Sequence, residues 1–275
     1  AISAAHMECR SIAETVPALC GTLAFEPLIE SGDPATLKHP NTDWLLMVHE
    51  APHALDKEMH NHFGVRVAST DEVDAAFSYL NAHQDTYRLS ELQSPAWSHG
   101  SYSVYFREPG TNGLEIECYE AVLRKESGGT RLGGVRAPHW ETRLPPERFP
   151  GRGYVPQAFT HGTLACGDIS VSGRFYEEVL GLDAIRAYER ILYVKHPDAR
   201  HYIVCGQRAS WTRHSRSFRF TLSLASPDDV AEAHHWLARS RTELGVTELD
   251  DMQTEENSAH FLLADPDGNW WEIRA

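Results

Sequence analysis

His99-Gly-Ser-Tyr-Ser-Val-Tyr-Phe-Arg-Glu-Pro-Gly-Thr-Asn-Gly-Leu-Glu-Ile-Glu-Cys-Tyr119 is the stretch whose reading decides the fold. Val104 and Phe106 alternate with Ser103, Tyr105 and Arg107, so this run is a strand with one apolar and one polar face. Pro109-Gly-Thr-Asn-Gly113 is a turn. After it, Leu114 and Ile116 alternate with Glu115 and Glu117 as a second strand. The hairpin sets a His, a Tyr and a carboxylate on faces that can line a cavity. That set suits a metal site with acid/base groups beside it.

Upstream, Asn61 to Val67 alternates as a strand, and Ser69-x-x-Glu72 caps a helix with Val73, Ala76, Phe77 and Leu80 on one stripe. Before that, residues 2–10 read as a strand and Ser11-x-x-Glu14 opens a helix weakened by Pro17. Residues 25–30 and Trp44 to His49 read as strands, with a loop over 31–43. Downstream, residues 124–157 are rich in Gly, Pro and Arg and read as a connection. A strand from Phe159 precedes a helix capped by Asp168 or Ser170 and ended by Gly181. Strands follow near 184–195 and 201–206. Phe218 to Leu224 is a strand, Ser226-Pro227 starts a helix, and two strands flank the turn Asp265-Pro-Asp-Gly-Asn269.

A β-α-β-β-β unit therefore recurs near 2–50, 60–120, 159–207 and 217–275. His62 and Arg219 each lie eleven residues before a helical Val, at Val73 and Val230. Glu115 and Glu272 each lie six residues after a turn proline, at Pro109 and Pro266, and each is followed by Ile. Repetition at this length outranks any single motif as a fold signal.

Composition narrows the function. The 275 residues suffice for one large domain or two smaller ones, and 41% hydrophobic content allows a full core. A net charge of −14 argues against nucleic acid and anionic membranes as partners. Five cysteines without C-x-x-C spacing suit a reducing compartment. No apolar run reaches membrane-spanning length, and residues 1–20 lack the pattern of an export signal, so a cytoplasmic protein is expected.

The four repeats and the hairpin motif resemble those of the vicinal oxygen chelate superfamily, and within it the two-domain extradiol ring-cleavage dioxygenases. The resemblance covers nearly the whole chain, most clearly 60–120 and 159–275. It implies an α+β fold of four βαβββ units curled into two open barrels. Units 1 and 2 would form a catalytic barrel over 1–123, residues 124–157 the connection, and units 3 and 4 a degenerate barrel over 158–275. In this family one metal-binding His comes from the first strand of one unit. A second His comes from the first strand of its partner and a Glu from that partner's last strand.

Carried onto this chain, the resemblance assigns His62 and Glu115 as metal ligands. The fourth unit keeps Glu272 but has Arg219 where the His belongs, and Arg offers no lone pair to a metal. Pairing in sequence order makes His6 the third ligand, which is the expectation adopted; permuted pairing would make it His161. The family's run of His, aliphatic-Tyr, acidic-Pro and Glu is matched by His99, Val104-Tyr105, Glu108-Pro109 and Glu115, with a shortened gap after His99 and Thr111 where Gly or Pro is usual. His99 and Tyr105 would hydrogen-bond substrate, and His49 would be the acid/base His. Glu117 reads as an edge or surface residue, His60 as a solvated loop histidine, and Arg208 to Arg219 as a solvated loop.

Two His and a carboxylate suit Fe(II), with Mn(II) also acceptable. The function implied is an Fe(II)-dependent dioxygenase acting on a small aromatic diol with O2, in a homo-oligomer. A glyoxalase-like isomerase or lyase, or a protein that only sequesters an aromatic compound, are the other readings.

Overall fold

The computed structural model describes residues 1–29, 32–54, 56–98, 100–119, 135 and 138–275. Unit 1 contains β1 (Ile2–Cys9), α1 (Ile12–Leu23), β2 (Glu26–Ile29), β3 (Ala35–Lys38) and β4 (Leu45–Glu50). Unit 2 contains β5 (His62–Arg66), α2 (Thr70–Ala82), α3 (Gln84–Tyr87), β6 (Ala96–Ser98), β7 (Ser101–Arg107) and β8 (Gly113–Tyr119). Unit 3 contains β9 (Ala158–Cys166), α4 (Ile169–Glu178), β10 (Asp183–Tyr188), β11 (Ile191–Lys195) and β12 (Tyr202–Gln207). Unit 4 contains β13 (Arg219–Ser223), α5 (Pro227–Ser240), β14 (Glu248–Leu249), β15 (Gln253–Glu255), β16 (Ser258–Ala264) and β17 (Trp270–Arg274).

The units build two curled mixed sheets, as the repeat predicts, but not in sequence order. One sheet runs β14-β16-β17-β13-β1-β4-β3-β2, with β15 on β16. The other runs β10-β11-β12-β9-β5-β8-β7-β6. Unit 1 thus pairs with unit 4 through antiparallel β1 and β13, and unit 2 with unit 3 through antiparallel β5 and β9. The expected pairing of unit 1 with unit 2 is corrected by this strand order. Hydrophobic periodicity fixes which face of a strand is buried, not which strand lies beside it.

The joining strands pack against each other through aromatic rings. Trp44 is fully buried, stacks on Phe159 with centroids 4.4 Å apart, and donates Nε1–H to the Phe159 carbonyl at 3.2 Å. Phe63 and Phe220 meet across the sheets. Gly162 makes that approach possible, because a Cβ there would lie 2.8 Å from the Phe220 ring. Helices cover the outer faces, with Val73, Ala76 and Leu80 of α2 buried as predicted.

Local capping follows the sequence in α2, where Ser69 accepts from the Glu72 amide, and in α4, where Asp168 accepts from the Ser170 and Val171 amides. In α1, Ser11 is the N-cap without a side-chain hydrogen bond, and Pro17 lies inside the helix. Burial of Ala18, Leu19 and Leu23 outweighs the amide that Pro17 lacks. The loop read over 31–43 contains β3, whose short alternation of buried Ala35 and Leu37 is hidden among turn formers. Of the 124–157 connection, residues 124–134, 136 and 137 lie outside the described residues. Among the described residues no helix is long and apolar enough to cross a membrane.

Five histidines, His6, His39, His139, His201 and His214, are folded into this core as neutral rings, and burial holds His139 well below its ordinary value. Burial lowers His39 and His214 to about 3 and His201 to about 4. Burial, then the nearby Arg219 charge, lowers His6 to about 2. Their unfolded value is near 6.5, so below that pH the unfolded chain binds protons that the folded chain refuses. Stability is therefore complete above pH 6.5 and falls as pH drops, with a limiting slope of about 1.4 kcal/mol per pH unit for each histidine. Urea titrations should give a steep loss of unfolding free energy between pH 7.5 and 5.5. A flat profile over that range would refute the burial of these rings as neutral species.

Candidate metal centre

Strands β9, β5 and β8 are neighbours, and each presents one donor to the same point. His62 Nε2 lies 3.1 Å from Glu115 Oε2, and His161 Nε2 lies 3.0 Å from the same oxygen. The ligand atoms of His62, Glu115 and His161 all lie within 4.8 Å of one another, the one such group among the described residues. The permuted pairing is what brings His161 here. Gly64 faces Glu115 on one side and His161 on the other. A Cβ at Gly64 would lie 2.1 Å from the His161 ring, so the imidazole occupies room that only glycine leaves.

Each imidazole is oriented from behind. His62 Nδ1 lies 2.9 Å from the Met59 carbonyl, which can only accept, so Nδ1 carries hydrogen and Nε2 faces Glu115. His161 Nδ1 is 3.0 Å from Thr160 Oγ1 and 3.6 Å from Glu117 Oε1, and its ring stacks on Tyr202 with centroids 5.3 Å apart. Glu117 is in turn gripped by Arg66, whose other terminal nitrogen donates to the Val135 carbonyl. Arg66, Glu117 and Tyr202 are all at most 2% exposed. The surface position expected for Glu117 is corrected: it lies on the same face as Glu115 and forms a buried layer beneath His161. Its partner Arg66 sits on β5, and only the strand pairing reveals the match.

The electrostatics of the three donors ask for a cation. Burial opposes charge on the Glu115 carboxyl. The hydrogen bonds from His161 and His62 nevertheless hold the Glu115 carboxyl well below its ordinary value. Burial likewise opposes charge on His62, but its hydrogen bond and attraction to Glu115 raise its pKa. A proton meets that demand, and a divalent metal held by two imidazoles and a carboxylate meets it as well. The donor set fits such a metal.

Symmetry defines what is missing. A local two-fold through the Phe63–Gly162 pair exchanges His62 with His161 and Gly64 with Thr163. Gly64 pairs with Glu115 on β8, and Thr163 pairs with Val204 on β12. Val204 therefore stands where a second carboxylate would complete a four-donor set.

Tyr105 lies directly opposite Glu115 on β7, with its ring edge-on to His62 at 5.2 Å. Burial, then the Glu115 charge, raises its pKa, so the phenol stays protonated and can donate. A cavity of about 240 Å³ opens beside these groups. Met59, Leu164, Ile191 and Val204 form its apolar walls, and His60 lines it next to His62. The solvated role read for His60 is thus corrected in part.

The other predicted residues lie elsewhere. His6 is on β1 in the other sheet, with Nδ1 2.8 Å from His49 Nε2 and Nε2 2.7 Å from Thr221 Oγ1. His49 is on β4 of that sheet and does not reach His62 or Glu115. Strand register corrects the His6 expectation further. Ala4 pairs with Thr221 as His161 pairs with Gly64, so Ala4, not His6, holds the equivalent position even in its own barrel. Arg219 replaces His62 there, and its guanidinium donates to Glu272 at 3.2 Å. His99 lies outside the described residues.

The layer under His161 is testable. Glu117→Gln should weaken divalent-metal affinity about 10- to 100-fold, by analogy with other outer-layer carboxylates, as measured by competition with a chelator. Unchanged affinity in a folded variant would remove Glu117 from any part in metal binding.

Residues 158–273 match the sequence family described as the Glyoxalase/Bleomycin resistance protein/Dioxygenase superfamily, a match spanning less than half of the chain. No curated protein matches the chain in sequence. Among solved structures it is similar to glyoxalase I from Zea mays, at 14% identity and a TM-score of 0.66, over 99% of this chain and 91% of that one. It is also similar to a candidate dioxygenase from Bacillus subtilis, at 10% identity and a TM-score of 0.63, over 99% of this chain and 84% of that one. The whole chain therefore has the glyoxalase-like, vicinal oxygen chelate fold, and its carboxy-terminal two units carry the superfamily's sequence pattern.

Proposed function

We propose that the chain is an Fe(II)-dependent extradiol dioxygenase that cleaves a catechol-like ring with O2. The observation that carries this reading is the three-donor set of His62, Glu115 and His161, with apolar Val204 at the symmetry-related fourth position. Two His and one carboxylate leave several coordination positions for substrate, the pattern of non-haem Fe(II) oxygenases. A glyoxalase-like isomerase usually prefers a fourth protein ligand, which Val204 cannot supply.

His62, Glu115 and His161 would hold the metal; Fe(II) is preferred and Mn(II) also suits the donors. Bound there, the metal would acidify the diol and bring substrate and O2 together for electron transfer. The residues around it would do the rest. Tyr105, kept protonated, would donate a hydrogen bond to a substrate oxygen. His60, on the cavity wall, would accept the diol proton, a part that His49 is too remote to play. Leu164, Ile191 and Val204 would flank the ring and exclude water from it. A cavity of about 240 Å³ suits one ring with a short substituent.

The experiment is purification without oxygen, loading with Fe(II), and a catechol panel followed by oxygen uptake and the yellow colour of ring-opened product. Oxygen uptake should track catechol consumption. His62→Ala or Glu115→Ala should lose both iron and uptake. Full activity in either variant would discard the site, and turnover without O2 or with Zn(II) or Ni(II) alone would select the isomerase or lyase instead.

A further inference from the structure

We propose that Arg208 reads an acidic substituent on the ring held in the cavity, so that the substrates are catechols carrying a carboxylate side chain. This rests on the catechol reading of the site and adds a charged substituent to that substrate.

The residues lining the cavity include no carboxylate, and Arg208 carries their one permanent charge. Glu115 is close by, but its charge is already answered by His62 and His161. The root of Arg208 is fixed, because its amide donates to the Cys166 carbonyl at 2.8 Å. Its side chain then folds back over β12 beside Gly206, where even a Cβ at 206 would make only ordinary contact, 3.7 Å from a guanidinium nitrogen. Among the described residues no carboxylate pairs with this guanidinium. By contrast, the neighbouring Arg213, Arg216 and Arg219 all meet acids.

Two physical arguments make this arrangement selective. A guanidinium offers paired N–H donors that match a carboxylate. In a chain of net charge −14, an anionic ligand is repelled on average, so one uncompensated guanidinium at the cavity decides where it is tolerated. The apolar wall of Leu164, Ile191 and Val204 would hold the ring between that cation and the metal ligands.

The test compares a dihydroxyphenyl carboxylate with its methyl ester, by calorimetry on the metal-loaded protein without oxygen. Wild type should bind the acid about tenfold more tightly than the ester, the gain expected from a charge-assisted hydrogen bond that is partly solvated. Arg208→Gln should bring the ratio to about one, while Arg208→Lys should keep part of it. Raised salt should also shrink it. Equal affinities in wild type, or a preference that survives Arg208→Gln, would overturn the proposal. If both ligands bind with the predicted ratio but neither consumes oxygen, the dioxygenase reading fails and the Arg208 assignment stands. If both are cleaved with no preference, the reverse holds.

Discussion

A carboxylate buried in the middle of a β-sheet must be met by positive charge, and Glu115 is 3% exposed with an imidazole at about 3 Å on either side. Leaving such a group ionised and unpaired would cost several kcal/mol. His62 and His161 answer it from the flanking strands, Gly64 leaves the room, and Glu117, Arg66 and Tyr202 brace His161 from behind. Because one of the imidazoles belongs to unit 3, the centre exists only through the contact of β5 with β9. The pairing of the sheets and the chemistry of the site are one constraint.

The two barrels show what a repeated unit keeps and what it releases. Both preserve the same strand register, down to the irregularity beside the central pair. In the barrel of units 1 and 4, Ala4 and Arg219 replace the two imidazoles, and Arg219 neutralises Glu272 directly. The buried acid is still satisfied, by a fixed guanidinium rather than by imidazoles that could hold a metal. His6 also comes within 3.4 Å of Glu272, through Nε2, but the guanidinium already answers that charge. His6 stays a neutral ring hydrogen-bonded to His49 and Thr221.

Much of this was legible in the sequence, for physical reasons that can be named. The βαβββ repeat follows from alternation, caps and turn residues, each a property of a few consecutive positions. His62 and Glu115 stand out in the sequence because they belong to one unit and match Arg219 and Glu272 at fixed offsets. The third donor was not fixed, because the choice between His6 and His161 is a choice of which sheets join, and that lies between segments. The flanking residues held the better signal: His161, like His62, opens an apolar stretch containing a glycine, which His6 does not. Glu117 was misjudged for the same reason, since its cation lies on another strand.

The most direct measurement is the metal content of two variants, His161→Ala and His6→Gln, each loaded with Fe(II) and freed of excess. The account predicts one iron per chain in wild type and in His6→Gln, and none in His161→Ala. Iron retained without the His161 imidazole, or lost when His6 is replaced in a folded chain, would contradict it.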